Sequence, residues 1–182
     1  MSDLKVRSLR DENMEASLVL CRESIMHATH YSREQRQAWA AFDDDDWGAR
    51  LTQQRSWGAF GAGDVLLGVA SWRTGDSDEA WLDLLYVSPT CQSLGVGGVL
   101  LGWIEDEALQ LGFKTIATQA SLHLQPLLRA RGYISLEMRL PVVRGQALPC
   151  AWMQKVLPRR GIINADLRHL RPHVQDSLHP YG

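Results

Sequence analysis

Cysteine is scarce in this chain of 182 residues: there are three, Cys21, Cys91 and Cys150. They are odd in number, far apart and without Cys-x-x-Cys spacing, which argues against a disulfide framework and against a zinc site. The expectation is no metal and a reducing, cytoplasmic compartment. Charge of one sign is not in excess either. A formal net charge of −2 gives no general attraction to nucleic acid or to an anionic membrane. No run approaches the ~20 apolar residues of a membrane span. The opening Met1–Arg7 is polar and alternating, where a signal peptide is continuously apolar. Internal repeats and low-complexity blocks are lacking. A chain of this length is expected to form one domain that buries roughly 70% of the surface exposed when unfolded, so a core needs no covalent staple.

What is present is a glycine-rich turn. Gln92-Ser93-Leu94-Gly95-Val96-Gly97-Gly98 joins a strand-like run, Trp81–Val87, to an apolar helix-like run that begins near Val99. Such a turn exposes backbone N–H groups at the positive end of a helix and suits a pyrophosphate, although a tight connector that binds nothing uses the same residues. Two phosphate-binding patterns are excluded by spacing. Val99 and Leu100 stand where a Walker loop has Lys and Ser/Thr, and Gly95, Gly97 and Gly102 miss the register of a dinucleotide fingerprint.

Around this turn the pattern alternates between strand and helix. Lys5–Arg10 reads as a strand, and Asp11 caps a helix ending near His27. Ser32 with Gln35 forms a capping box for a second helix through Trp39. Asp43–Asp46 precedes a third, Trp47–Gln54, and Gly63-Asp64 turns a hairpin of Trp57–Ala62 and Val65–Arg73. A strand at Ala80–Val87 follows. Helix Val99–Leu111, closed by Gly112, leads to strand Thr115–Gln119, a unit that implies a parallel pair with a right-handed crossover. A helix over Leu122–Arg131 and a last pair of strands, Tyr133–Arg139 and Leu148–Val156, complete an α/β fold with a mixed sheet and helices on both faces.

The pattern Gln-x-x-Gly-x-Gly after Leu85-Tyr86-Val87-Ser88-Pro89 resembles the acetyl-CoA loop of the GCN5-related N-acetyltransferase (GNAT) superfamily. His30-Tyr31-Ser32-Arg33-Glu34-Gln35-Arg36-Gln37-Ala38-Trp39 is similar to a Tyr-Ser-x-x-Gln-x-x-Ala-Trp segment of bacterial members. Pro126–Tyr133 resembles the Pro-Phe-Tyr-Glu-x-x-Gly-Phe block, and Ala151–Leu157 the closing Met-x-Lys-x-Leu strand. The likeness spans residues 4–157, so residues 1–157 are expected to form the acetyltransferase domain. It implies a mostly antiparallel sheet with one parallel pair, acetyl-CoA as cofactor, and transfer of an acetyl group to an amine of a small molecule or protein. The alternative is a non-catalytic module that binds CoA or serves association.

By this resemblance the amides of Gln92, Ser93, Leu94, Gly95, Val96, Gly97 and Gly98 hold the pyrophosphate. The backbone of Leu85, Tyr86 and Val87 runs beside the pantetheine arm, with one N–H near the thioester oxygen. A β-carbon at Gly95 or Gly97 would push the phosphates away. Catalytic candidates are Asp83 and Tyr86. Strand alternation puts Trp81, Asp83, Leu85 and Val87 on one face and Leu82, Leu84 and Tyr86 on the other. Asp83 is then a charge among apolar neighbours, a base or ammonium anchor, or equally a structural salt bridge to an arginine. Tyr31 and Trp39 are candidate acceptor contacts. The family's usual tyrosine acid falls on Leu128, which cannot donate a proton. Water or another residue, the substrate itself, or loss of turnover would account for that. Tyr133 reads as a core ring with its hydroxyl paired, and His123 as an exposed helix-start residue that could relay protons. The extension 158–182 reads as a tail or as a segment docking on the domain or on a second subunit, which leaves a homodimer open.

Overall fold

A computed structural model describes residues 4–75 and 79–158. The extension beyond Pro158 and its expected docking lie outside the described residues. The chain begins with β1 (Lys5–Ser8), and after one 3-10 turn α1 (Met14–Met26) follows. Then come α2 (Arg33–Ala40), α3 (Asp44–Thr52), β2 (Arg55–Phe60), β3 (Leu66–Thr74) and β4 (Ala80–Val87). The second half is α4 (Val96–Gln110), β5 (Thr115–Ser121), α5 (Gln125–Ala130), β6 (Ile134–Arg139), a small hairpin of β7 (Val142–Val143) and β8 (Gln146–Ala147), and β9 (Cys150–Val156). Seven strands form one sheet in the order β1-β2-β3-β4-β5-β9-β6. Every pairing is antiparallel except β4 with β5.

Local chemistry explains most boundaries. The Ser32 hydroxyl accepts the Gln35 N–H at 3.2 Å while the Gln35 side chain accepts the Ser32 N–H at 2.8 Å, so α2 starts where its capping box puts it. The Asp43 carboxylate accepts the Asp45 N–H at 2.8 Å, and α3 therefore begins at Asp44, taking the acidic run into its first turn rather than leaving it ahead. The last two long strands pair as expected, with β7 and β8 inserted between them around Arg144 and Gly145, both at positive φ.

The sheet buries a core on each face. On one side Leu100, Leu101, Ile104 and Ala108 of α4 pack on Ala70, Trp72, Leu82, Ile116 and Met153. On the other Leu18, Cys21 and Ile25 of α1, with Trp47 and Leu51 of α3, pack on Val69 and Leu84. Adjacent residues of β3, Val69 and Ala70, thus serve opposite cores, as a pleated strand requires.

Strand β4 breaks the simple alternation. Ser71 pairs with Leu84 and Trp72 with Leu82, so Asp83 is an extra residue with no partner on β3. Past this bulge every side chain changes face. Leu82 therefore shares the α4-side core with Leu85 and Val87, while Leu84 and Tyr86 join the α1 side. The expected grouping of Leu82 with Leu84 and Tyr86 is corrected by one unpaired residue. The parallel ladder also stops there: Ala80, Trp81 and Leu82 pair with Ile116, Ala117 and Thr118 and nothing beyond does. β4 and β5 separate past this point.

Candidate active site

The separation opens a cleft of about 500 Å³. One wall is Leu82–Val87 of β4, and the other is Thr118, Gln119 and Ser121 of β5. Ser24 and Ile25 of α1, Ala28 just after it, and Trp39 of α2 close one side. Gln92, Ser93, Gly95, Gly97 and Gly98 line the end where α4 begins.

Backbone groups face this space by default. The Ser88 N–H donates to the Leu67 carbonyl at 2.9 Å. Alternation along an antiparallel pair then turns the peptide groups of Tyr86 and Leu84 toward β3 and those of Leu85 and Val87 away from it, into the opening. The Gln92 side-chain amide reaches the Val87 carbonyl at 3.4 Å, consistent with that direction. At the other end the first intrahelical bond of α4 runs from the Val99 N–H to the Gly95 carbonyl. The N–H groups of Val96, Gly97 and Gly98 thus have no acceptor within the helix, and no side-chain cap or acidic residue competes for them.

The glycines divide the work. Gly95 sits at φ 86°, a left-handed conformation that other residues adopt at a cost, and a β-carbon there would meet open space. Gly97 and Gly98 lie inside the first turn of α4, which starts at Val96 rather than at the expected Val99. A β-carbon on Gly97 would sit 3.3 Å from Leu127 and 3.4 Å from Val87. The Arg131 guanidinium donates to the Gly98 carbonyl and ties the end of α5 to this turn.

The candidate residues separate into those the cleft gathers and those it does not. Leu85, Tyr86, Val87, Gln92, Ser93, Gly95, Gly97, Gly98, Asp83 and Trp39 all line it. The Leu94 side chain is exposed to solvent and the Val96 side chain is buried in the α4 core, so neither side chain faces the cleft. Tyr31 does not line it either. Its hydroxyl donates to the Pro149 carbonyl at 2.7 Å and accepts the Leu122 N–H at 2.9 Å, holding the loop after α1 to the residue that follows β5 and the residue that precedes β9.

Asp83 is occupied. One of its oxygens accepts from Arg50 Nε at 2.5 Å and from the Gln54 amide at 2.8 Å. Burial works to raise its pKa, but the hydrogen bond and charge of Arg50 override that and hold it below the usual 3.8. A carboxylate so stabilised is a weak base. Tyr86 lies between Trp39 and Trp47, with ring centroids 6.3 and 6.4 Å away. Burial, reinforced by the Cys21 thiol, raises its pKa well above 10, so the phenol stays protonated. Leu128 has no exposed surface. Tyr133, expected with its hydroxyl paired, is buried facing Glu105 but outside hydrogen-bonding geometry; burial and that carboxylate push its pKa upward.

His123 lines the cleft at its rim, its ring edge-on to His30 with centroids 5.5 Å apart. Burial and then the His30 charge lower its pKa from 6.5, which leaves it neutral at neutral pH. The β5 wall was not found in the sequence, because Thr118, Gln119 and Ser121 form no motif. Among the described residues no group of His, Cys, Asp and Glu is placed to hold a metal ion, and no helix is long and apolar enough to cross a membrane.

An opened β4/β5 pair with a glycine-rich helix start at its mouth defines a class of acyltransferase folds, and sequence comparison agrees. Residues 18–133 match the model of the acetyltransferase (GNAT) family. The chain belongs to that family. No curated protein matches it. Among solved structures it is similar to a GCN5-related N-acetyltransferase from Rhodopseudomonas palustris, at 30% identity and a TM-score of 0.80, over 86% of this chain and 98% of that one. It shares its fold with the PaiA N-acetyltransferase of Thermoplasma acidophilum in complex with coenzyme A, at 19% identity and a TM-score of 0.65, over 84% and 98%. The ribosomal-protein-S18-alanine N-acetyltransferase of Escherichia coli, at 18% identity and a TM-score of 0.67, over 87% and 96%, has the same fold.

Proposed function

We propose that the chain is an acetyl-CoA-dependent N-acetyltransferase that moves the acetyl group to an amine of a small molecule or protein by direct attack in a ternary complex. One observation carries this reading: the peptide groups of Leu85 and Val87, turned away from β3, and the N–H groups of Val96–Gly98, which have no acceptor within α4, converge on a single cleft. Bound acetyl-CoA would supply the activated thioester. The residues present fit it, because the free N–H groups at the start of α4 complement a diphosphate and Gly95 keeps side chains out of its path. Leu85 and Val87 would pair with the amide-bearing arm as an added strand edge would, and one of their N–H groups would stabilise the oxygen on which charge develops.

The acceptor would enter beside Trp39, Tyr86 and Ile25. Its nitrogen must be neutral to attack, and the proton it loses needs a base. Asp83 is committed to Arg50, whereas His123 is neutral, at the rim and next to His30. We assign His123 the relay of that proton toward solvent. Since Leu128 offers no proton, the departing thiolate is protonated from water or from this relay.

Calorimetric titration with CoA and with acetyl-CoA tests the cleft, and thiol release over a panel of amines tests turnover. Binding of both ligands, with thiol released only when an amine is present, is the expected result. Binding without release for any amine would favour the second reading, a CoA-binding module without turnover, which the leucine at position 128 supports. Absence of binding would remove both.

A further inference from the structure

The cleft carries almost no charge of its own. Among the described residues that line it there is no lysine or arginine, and the single carboxylate is that of Asp83. Arg50 at 2.5 Å compensates that charge. His123, the one histidine of the lining, is held neutral by partial burial and by His30. On the α1 side the apolar wall is made by Ile25, Ala28, Trp39 and Tyr86. Behind it the rings continue without a break. Tyr31 lies edge-on to Trp39 at 5.4 Å, Tyr86 stands 6.3 Å from Trp39 and 6.4 Å from Trp47, and Phe42 stacks on Trp47 at 5.2 Å. A wall of interlocked rings is stiff, and it offers edges and faces to a further ring placed against it.

We propose that the acceptor is a small monoamine whose body is aromatic and carries no second charge. This rests on the acetyl-transfer reading above and narrows it. A polyamine, an amino sugar or a lysine-rich peptide brings further cations, each of which needs a carboxylate that is not already paired. An amino acid brings a carboxylate, and no cation lines the cleft to meet it. An unpaired charge set against such walls is costly, whereas an aryl ring gains edge-to-face contact with Trp39 and Tyr86. The same walls serve the chemistry. An amine that leaves water for apolar surroundings gives up its ammonium form more readily, and the neutral nitrogen is the one that attacks. The bond formed is the amide N–C bond and the bond broken is the thioester C–S bond. The proton lost by the nitrogen balances the sulfur, which departs as the thiol of CoA.

The test measures kcat/KM by thiol release, with the full chain at saturating acetyl-CoA, for amines built on one skeleton. These are 4-methylphenethylamine, its analogue with a carboxylate in place of the methyl group, and its analogue with an aminomethyl group there. The neutral amine should exceed both charged ones by at least about 100-fold. Phenethylamine should exceed its saturated counterpart, 2-cyclohexylethylamine, by about threefold or more. Ser24→Asp sets a new carboxylate on the α1 wall and should raise the diamine relative to the neutral amine by at least about tenfold. Each readout is a ratio of two substrates on one preparation, so it does not depend on the fraction that folds. A charged analogue that matches the neutral amine, a peptide amine that outruns it, or a diamine ratio unmoved by Ser24→Asp would overturn the proposal while leaving acetyl transfer in place. Equal rates for the aromatic and saturated amines would overturn it too. If CoA binds and no amine releases thiol, the acetyl-transfer reading fails and this inference fails with it.

Discussion

Single side chains decide what the cleft does with protons. His123 is held neutral by partial burial and by His30. As the pH falls through its lowered pKa it gains a proton and can no longer accept one, so turnover should fall on an acid limb lying below pH 6.5. His123→Gln should flatten that limb and lower kcat about 10- to 100-fold while leaving CoA affinity unchanged. A variant with the native pH profile would return the histidine to a rim residue without a role. Asp83 behaves oppositely. Its carboxylate is the shared acceptor of Arg50 and Gln54, and Asp83→Asn leaves both donors poorly matched. Because Arg50 is half exposed, solvent screens the pair, and the loss should be about 1–2 kcal/mol in unfolding free energy, with CoA binding retained. A depressed pKa stabilises the fold above the unfolded value near 3.8 and ceases to do so as the pH falls through the folded value. Denaturant midpoints of native chain and variant should thus differ at pH 7 and draw together only as the pH falls below 3.8 and through the folded value. A large loss of kcat with unchanged stability would contradict this assignment.

Helix α4 and strand β4 bring together residues that the sequence shows only separately. The glycine run was legible because its chemistry is local: a turn at positive φ and free N–H groups need no distant partner. Its inner boundary was not, since glycine is a poor helix former in isolation, yet Gly97 and Gly98 are accepted in the first turn where α4 packs closely on β4 and α5. The bulge at Asp83 was invisible for a different reason. It exists only relative to β3, and alternation read along β4 alone assigns Leu82 to the wrong face. The place of Tyr31 outside the cleft lining was not legible because its two hydrogen bonds reach residues far apart in the chain, Leu122 and Pro149. The element-level consequence is testable at Gly97. In Gly97→Trp the added β-carbon is tight against Leu127 and Val87, costing about 1–3 kcal/mol, and the indole enters the mouth of the cleft. Affinity for CoA should drop at least 100-fold with the circular dichroism spectrum unchanged. Retained affinity would mean that the diphosphate does not sit at the start of α4.

For the molecule as a whole, the cleft is a weak point of the sheet, because β4 and β5 share a ladder of only three residue pairs before they part. A ligand that bridges the two walls replaces the missing pairing, and anything that binds only the folded state raises stability by mass action. At 100 times its dissociation constant, CoA should add about 2.7 kcal/mol. In a chain of this size each kcal/mol moves Tm by roughly 2–4 °C, which gives a rise of about 5–10 °C. The same rise with acetyl-CoA would show that the grip lies on the diphosphate and pantetheine arm, which both ligands share, rather than on the acyl group. Asp83→Asn should start from a lower Tm and show the same rise, whereas Gly97→Trp should show none. If CoA left Tm unchanged at saturating concentration in the native chain, the two walls would not be joined by it, and the convergence of free peptide groups on this cleft would need another ligand to explain it.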